Sequence, residues 1–293
     1  MPSWITSWIN ILSVLTIMAI TLTIFREKKT EGFTQADRFL LKTDSDTYDD
    51  FYAKIYDKLH LPEDRAKPEL AQILKITGAD DNSVFLDVGS GTGETLKQLT
   101  ESGAKCVGIE KSQAMAAQSK EKTDATVKIG DVLEPMAFER AAFTHILCLS
   151  QTIYELENKP AFFTNCRYWL RGGGYLVLHL VDKTRFNTVV PVGNPVFIDN
   201  PQKYTNTRIV RTEVEFDNFN YSAKYDIPEK CKTCATFVET FTDLMTQHVR
   251  QNERRLFMDG EQEILAMASR CGFSLIGKAA LEQDEHQSFY ILA

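Results

Sequence analysis

The chain has 293 residues, 43% of them apolar and 25% charged, which is the composition of a folded globular protein and excludes a disordered, collagen-like or polytopic membrane chain. Acidic residues outnumber basic ones by 40 to 33, for a net charge of −7. A general nucleic-acid binder carries the opposite excess, so the balance argues against nucleic acid as a partner.

The charge is unevenly placed: every Asp, Glu, Lys and Arg lies between Arg26 and Glu285. The uncharged stretch from Trp4 to Phe25 reads WITSWINILSVLTIMAITLTIF, 22 residues of which fifteen are apolar. As a helix it would span about 33 Å, enough for a hydrocarbon core of about 30 Å. Trp4 and Trp8 sit where interfacial aromatics anchor a span, and Arg26, Lys28 and Lys29 follow the stretch directly. A cleaved signal peptide would place its basic residues first and end at a small-residue cleavage site, unlike this pattern. A buried terminal helix would need a large apolar partner. The expectation is a single transmembrane anchor over 1–25, with the basic flank holding the rest of the chain on the cytoplasmic side.

Residues 26–45 are polar and read as a linker, and 46–293 as one folded domain. TYDDFYAKIYDKL (47–59) puts Tyr48, Phe51, Tyr52, Ile55 and Leu59 on one helical face. Pro62 and Pro68 punctuate, and LAQILKIT gives a second helix. The pattern then becomes α/β. Apolar strands are predicted in SVFLDVG (83–89), KCVGIE (105–110), TVKIGDV (126–132), THILCLS (144–150) and YLVLHLVD (175–182). Helices alternate with them: one through Leu96 and Leu99, one capped by Ser112, and KPAFFTNCRYWL, broken by the glycines 172–174. Near-continuous apolar strands alternating with helices predict a Rossmann-like α/β fold, with a mostly parallel sheet covered on both faces.

From about 186 to 246 the rhythm changes to period two. RIVRTEVEF, FNYSAKYDI and ATFVETFTDL predict an antiparallel β cap of three or four strands, inserted after strand five. A helix in GEQEILAMASRCG and a closing strand pair in FSLIGKAAL and SFYILA complete the chain. Cys106, Cys148, Cys166 and Cys271 read as small core residues, and six cysteines so placed suit a reducing compartment. Cys231 and Cys234 form a lone C-x-x-C without a second ligand pair, a weak signal for metal or redox chemistry, so no metal is expected.

The strongest chemical signal is LDVGSGTG (86–93), at the first strand-to-helix crossover, which is the ligand edge of an open parallel sheet. Three glycines at spacing G-x-G-x-G let the backbone approach a ligand closely. The dinucleotide fingerprint has a different spacing, G-x-G-x-x-G. The carboxylate of Asp87 beside the loop would repel a pyrophosphate and welcome an ammonium or sulfonium cation. An NAD-dependent oxidoreductase is therefore disfavoured.

This combination resembles the class I S-adenosylmethionine-dependent methyltransferases, from about Tyr48 to the C-terminus. By that resemblance, Asp87 and the backbone of Gly89, Ser90, Gly91, Thr92 and Gly93 would hold the methionine part of the cofactor S-adenosylmethionine. Glu110 with Lys111 would meet the ribose, where two carboxylate oxygens accept both hydroxyls. Asp131 with Val132 would meet the adenine, and Leu149 and Ser150 the edge nearest the transferable methyl. The period-two excursion and the closing elements look like methyltransferases of small amines and amino sugars, whose antiparallel layer covers the acceptor. The anchor-plus-domain layout, with YDDFYAKIYD and YLVLHLVDKTRF, also looks like membrane-anchored methyltransferase-like proteins of large DNA viruses and protists.

Methyl transfer needs alignment and exclusion of water more than acid–base chemistry. The sequence after the fourth strand, L-S-Q-T-I-Y, lacks the N/D-P-P-Y type motif of adenine methylation and a Pro-Cys pair for pyrimidine chemistry. Candidates near the methyl are Gln151, Tyr154, His179 and Asp182. Tyr154 either orients an acceptor or packs under the cap. His179 is a base if it is exposed, and a hydrogen-bonded core residue otherwise. Asp182 caps the strand end or binds. Tyr52, Tyr56 and Glu239 either line a pocket or pack. The acceptor is a small molecule, a lipid-linked group or a protein amine. A silent methyltransferase-like scaffold tethered to a membrane is the alternative, although such a scaffold has no need of Glu110.

Overall fold

The computed structural model describes residues 35–191, 204–205, 207–228, 231, 233–281 and 284–293. The expected anchor lies outside the described residues. No helix among those described is long and apolar enough to cross a membrane.

The core is a seven-stranded sheet. Its strands are β2 (Val84–Val88), β3 (Lys105–Glu110), β4 (Thr126–Ile129), β5 (Phe143–Cys148), β6 (Leu170–Val181), β11 (Leu275–Leu281) and β12 (Asp284–Leu292). Their spatial order is β11-β12-β6-β5-β2-β3-β4. The pairs among β2 to β6 are parallel, while β12 runs antiparallel to both β6 and β11. Successive residues of a strand face opposite sides. Leu86, Val88, Ile146 and Cys148 accordingly enter one buried cluster, and Phe85 and Leu147 the other. Burial on both faces is why these strands read as unbroken apolar runs.

Six helices join the strands: α1 (Asp50–His60), α2 (Pro62–Thr77), α3 (Glu94–Glu101), α4 (Gln113–Lys122), α5 (Lys159–Trp169) and α6 (Glu261–Arg270). Asp49 caps α1 by accepting from the Tyr52 amide at 3.2 Å. Leu61, at φ 43°, turns the chain sharply into α2, which opens on Pro62, a residue whose missing N–H costs nothing there. Pro68 lies inside α2 rather than before it. It is exposed, so water can take the backbone acceptor that it leaves unpaired.

The second layer is a five-stranded cap in the order β1-β10-β9-β8-β7. It holds β7 (Arg211–Glu215), β8 (Phe219–Asp226), β9 (Cys234–Asp243) and β10 (Val249–Phe257), all antiparallel neighbours. The excursion thus runs to Phe257, beyond the boundary near 246 that the sequence suggested. Its fifth strand, β1 (Phe39–Thr43), pairs in parallel with β10. Those five residues fall in the stretch expected to be linker. They are exposed on alternate positions, so they carry too little apolar character to stand out, and only the open edge of β10 recruits them.

Cys231 and Cys234, read from the sequence as a lone C-x-x-C in a reducing setting, are joined as a disulfide at the start of β9, where the turn brings their Cα atoms to 5.5 Å, within bonding range. No group of three or more metal-ligating side chains occurs among the described residues.

Candidate active site

The chain moves from β2 to β3 and β4 on one side, then crosses to β5 on the other. The crevice at this switch point is where an open α/β sheet takes its ligand. A cavity of about 1310 Å³ opens there, reaching from the glycine loop to the cap. That exceeds the usual pocket of one small ligand, roughly 300–1,000 Å³, and leaves room for two molecules side by side.

The loop between β2 and α3 forms its floor. Gly89, Gly91 and Gly93 have φ of 64°, 54° and 84°, a region closed to most side chains. A Cβ on Gly89 would meet the Thr152 side chain at 2.7 Å, and one on Gly93 would meet Ser119 Oγ at 2.1 Å. Thr92 Oγ1 donates to Asp57 at 2.6 Å and ties the loop to α1. The Ser90 hydroxyl is buried without a hydrogen-bond partner.

Asp87 ends β2 beneath this loop and is buried. Burial, and then the neighbouring Glu110 carboxylate, push its carboxyl up to about 8. Among the described residues no cation offsets that push. Glu110 accepts from the Gly91 amide at 2.9 Å and the Ser112 amide at 2.8 Å. Burial raises its pKa against those bonds. Asp131 accepts from the Leu133 amide at 2.9 Å and pairs with Lys111 at 3.0 Å. Val132, Leu149 and Ser150 also line the cavity. Ser150 and Gln151 hold φ of 50° and 67°, a strained turn that keeps the end of β5 open. Gly93 packs against Ser119 rather than lining the cavity, and the other eleven of the twelve residues expected to bind cofactor border it.

The three catalytic candidates do not. Tyr154 is 1% exposed, and its hydroxyl accepts from the Val181 amide at 2.9 Å, fixing it under β6. His179 is fully buried against Gln287 at 3.0 Å, and burial holds it neutral, with its pKa lowered to about 3. Asp182 accepts from Thr184 and Arg185 in a turn of its own. Each turns to a protein partner for its own reason: Tyr154 reaches the backbone of β6, His179 lies inside β6 beside β12, and Asp182 is held by the turn to Thr184 and Arg185. Gln151 does line the cavity, donating to Gln287 at 3.3 Å.

Of the opposite wall the sequence offered only Tyr56, which lines the cavity. Tyr48, Tyr56, His60 and Arg65 from the helical segment line it together with Glu155, Tyr225, Phe237 and Arg254. Arg254 donates to Tyr48, to Tyr52 at 3.2 Å and to Glu239 at 3.2 Å, and lies over the rings of Tyr48 and Phe237 at 5.1 and 4.9 Å. Arg65 uses its Nε on Glu69 at 3.0 Å, so among the described residues its terminal nitrogens are left for a carboxylate. Tyr52 is fully buried and Glu239 has no exposure, so both pack behind this wall.

Residues 86–178 match the family model described as "Methyltransferase domain". The match covers 93 of the 293 residues. Solved structures extend the likeness to the whole fold. A S-adenosylmethionine-dependent methyltransferase from Clostridium acetobutylicum superposes with a TM-score of 0.61 at 14% identity, covering 82% of this chain and 96% of that one. The CcbJ methyltransferase from Streptomyces caelestis gives 0.61 at 18%, covering 84% and 97%. CalS10, an amino pentose methyltransferase from Micromonospora echinaspora, gives 0.54 at 17%, covering 78% and 90%. At these identities the likeness is one of fold. No curated protein sequence matches the chain.

The matched segment and the cavity beside it fit S-adenosylmethionine. An uncompensated carboxylate at Asp87 suits an ammonium or sulfonium group, the unpartnered Ser90 hydroxyl and the side-chain-free loop suit close approach, and Arg65 suits the carboxylate end.

Proposed function

We propose that the protein transfers a methyl group from S-adenosylmethionine to a small amine-bearing molecule, and that residues 4–25 hold it on the cytoplasmic side of a membrane. The observation that carries this reading is Asp87: a buried carboxyl raised to about 8, beneath a glycine cradle, with no cation of its own. A cationic cofactor lodged there supplies the positive charge that the described residues do not place beside Asp87. Bound S-adenosylmethionine supplies a methyl already activated on sulfur for in-line displacement.

Asp87 and the loop amides hold the methionine portion, Glu110 the ribose and Asp131 the adenine end. Glu110 has two oxygens for two hydroxyls once it exchanges its bond to the Gly91 amide. The cap and α1 cover the other half of the cavity and exclude water, which strengthens every polar contact inside. Tyr48, Tyr56, Tyr225 and Phe237 offer aromatic faces, and Glu155 a carboxylate, to an amine that approaches from that side. The likeness to CalS10, an amino pentose methyltransferase, supports an acceptor of this class. The net charge of −7 speaks against nucleic acid as the acceptor.

The membrane placement is supported by the 22-residue uncharged stretch and by Arg26, Lys28 and Lys29 behind it. The same layout supports kinship with the membrane-anchored methyltransferase-like proteins of large DNA viruses and protists.

Titration calorimetry of the full chain with S-adenosylmethionine tests the first part. Saturable binding that Asp87→Ala weakens by at least tenfold is expected, and absence of binding refutes it. Carbonate extraction and protease protection of vesicles test the second. Recovery of the domain in the soluble fraction would overturn the anchor.

A further inference from the structure

The wall that faces the acceptor contains a polar chain with a fixed direction. Arg254 has no lone pair to offer, so its Nη2 donates to the Tyr52 hydroxyl at 3.2 Å. Tyr52 must then place its own proton elsewhere, and the acceptor in reach is His60 Nε2 at 3.0 Å. The carboxylate of Glu239 lies 3.8 Å from that nitrogen, beyond hydrogen-bond distance, and is already engaged by Tyr221 at 2.7 Å and Arg254 at 3.2 Å. An imidazole whose Nε2 accepts and which carries no charge bears its proton on Nδ1. Burial, followed by the fields of Arg254 and Arg65, keeps His60 neutral by lowering its pKa to about 3. His60 lines the cavity, its side chain is 20% exposed, and its Nδ1 makes no hydrogen bond among the described residues. The groups that face it are Tyr52 and Tyr56 of α1, Arg65 of α2, and Glu239 and Arg254 of the cap.

We infer that His60 is a specificity-determining residue: it presents a permanent Nδ1–H donor to the cavity and selects acceptors that carry an oxygen beside the amine, as amino alcohols and amino sugars do. This rests on the reading of the cavity as a methyl-acceptor site. It also excludes His60 as the base, because an N–H donor tied through Tyr52 to an arginine has no free lone pair on the cavity side. The ring of Tyr56, with its centroid 4.5 Å from that of His60, restricts the donor to one direction.

The test uses the full chain labelled with ¹⁵N-histidine. Multiple-bond ¹⁵N–¹H spectra from pH 5 to 8 should show His60 neutral and protonated on Nδ1, and Tyr52→Phe should release that preference. In the chain saturated with S-adenosylhomocysteine, 2-aminocyclohexanol should shift the Nδ1–H resonance and bind about tenfold tighter than cyclohexylamine, the increment of one hydrogen bond. His60→Phe should bring that ratio close to one while leaving S-adenosylhomocysteine affinity unchanged. An Nε2-protonated or charged His60, equal affinities for the two amines, or a His60 resonance indifferent to both overturns the inference. Failure of S-adenosylhomocysteine to bind would instead count against the methyltransferase reading and leave the tautomer result standing.

Discussion

Arg254 Nη2 meets Glu239 Oε2 at 3.2 Å where the glutamate has no solvent exposure at all. The carboxylate is completed by the Tyr221 hydroxyl at 2.7 Å, and the guanidinium by Tyr48, Tyr52 and Glu155. This pair joins two neighbouring cap strands and orders the wall from which α1 projects into the cavity. Removing one partner leaves an uncompensated buried charge, which costs about 3–5 kcal/mol. Arg254→Met should therefore lower the urea midpoint by that equivalent, with an unchanged dependence on denaturant. A loss below about 1 kcal/mol, as is typical of exposed pairs, would contradict the arrangement.

Asp87 makes cofactor binding a proton-releasing event. Without ligand its carboxyl is raised to about 8 by burial and by Glu110, so at pH 7 it is mostly protonated. A bound ammonium or sulfonium favours the carboxylate and expels the proton. Calorimetry at pH 7 in two buffers of different ionisation enthalpy should report release approaching one proton, and Asp87→Asn should abolish it. The sign for stability follows. A carboxyl raised on folding gives stability that is complete below about 4, the ordinary Asp value. That contribution is lost as pH rises through about 8. The ligand-free protein should lose stability across that window, and Asp87→Asn should flatten the loss. A proton uptake on binding, or an Asp87→Asn profile parallel to wild type, would contradict it.

Two glycines with nearly the same φ separate backbone strain from close approach. Gly93 and Gly103 have φ of 84° and 82°, but a Cβ on Gly93 would lie 3.0 Å from the Ser119 backbone, whereas one on Gly103 meets nothing within 4 Å. Gly103→Ala should cost about 1–2 kcal/mol of stability, the price of the left-handed conformation, and leave cofactor affinity intact. Gly93→Ala must displace the loop from α4 and should weaken S-adenosylmethionine binding by more than tenfold. Equal effects of the two substitutions on affinity would show that the contact with Ser119 is irrelevant.

The cofactor half of the site was legible because it is local. Asp87, the glycine loop, Glu110 and Asp131 each stand at a strand end, and strand ends are fixed by apolar runs that any parallel sheet requires. The acceptor half, Tyr56 and Gln151 apart, was illegible because it is assembled across long separations. His60 reaches its environment through Arg254, 194 positions further on, and nothing in DKLHLP or NERRLF points from one to the other. The strand Phe39–Thr43 escaped for a similar reason: its pairing with β10 depends on an edge some 210 residues away. Tyr154, His179 and Asp182 illustrate the converse. Proximity in sequence to the methyl edge says nothing about which way a side chain turns, and each of the three turns to a protein partner.

Tyr154 allows that distinction to be measured. Its hydroxyl lies 2.9 Å from the Val181 amide and 3.4 Å from the Val181 carbonyl, so one side chain serves both backbone groups at the end of β6. Burial holds the phenol above its ordinary pKa, and it stays un-ionised at neutral pH. A role in orienting the acceptor would make Tyr154→Phe lower kcat strongly with stability preserved. The packing role inverts this. Val181 would lose the partner of a buried amide, at about 1–3 kcal/mol. Turnover with a methyl acceptor, measured well below the unfolding temperature, should stay within about threefold of wild type, because the aromatic ring still fills its place. A kcat reduced a hundredfold in a stably folded Tyr154→Phe protein would return this residue to the catalytic centre.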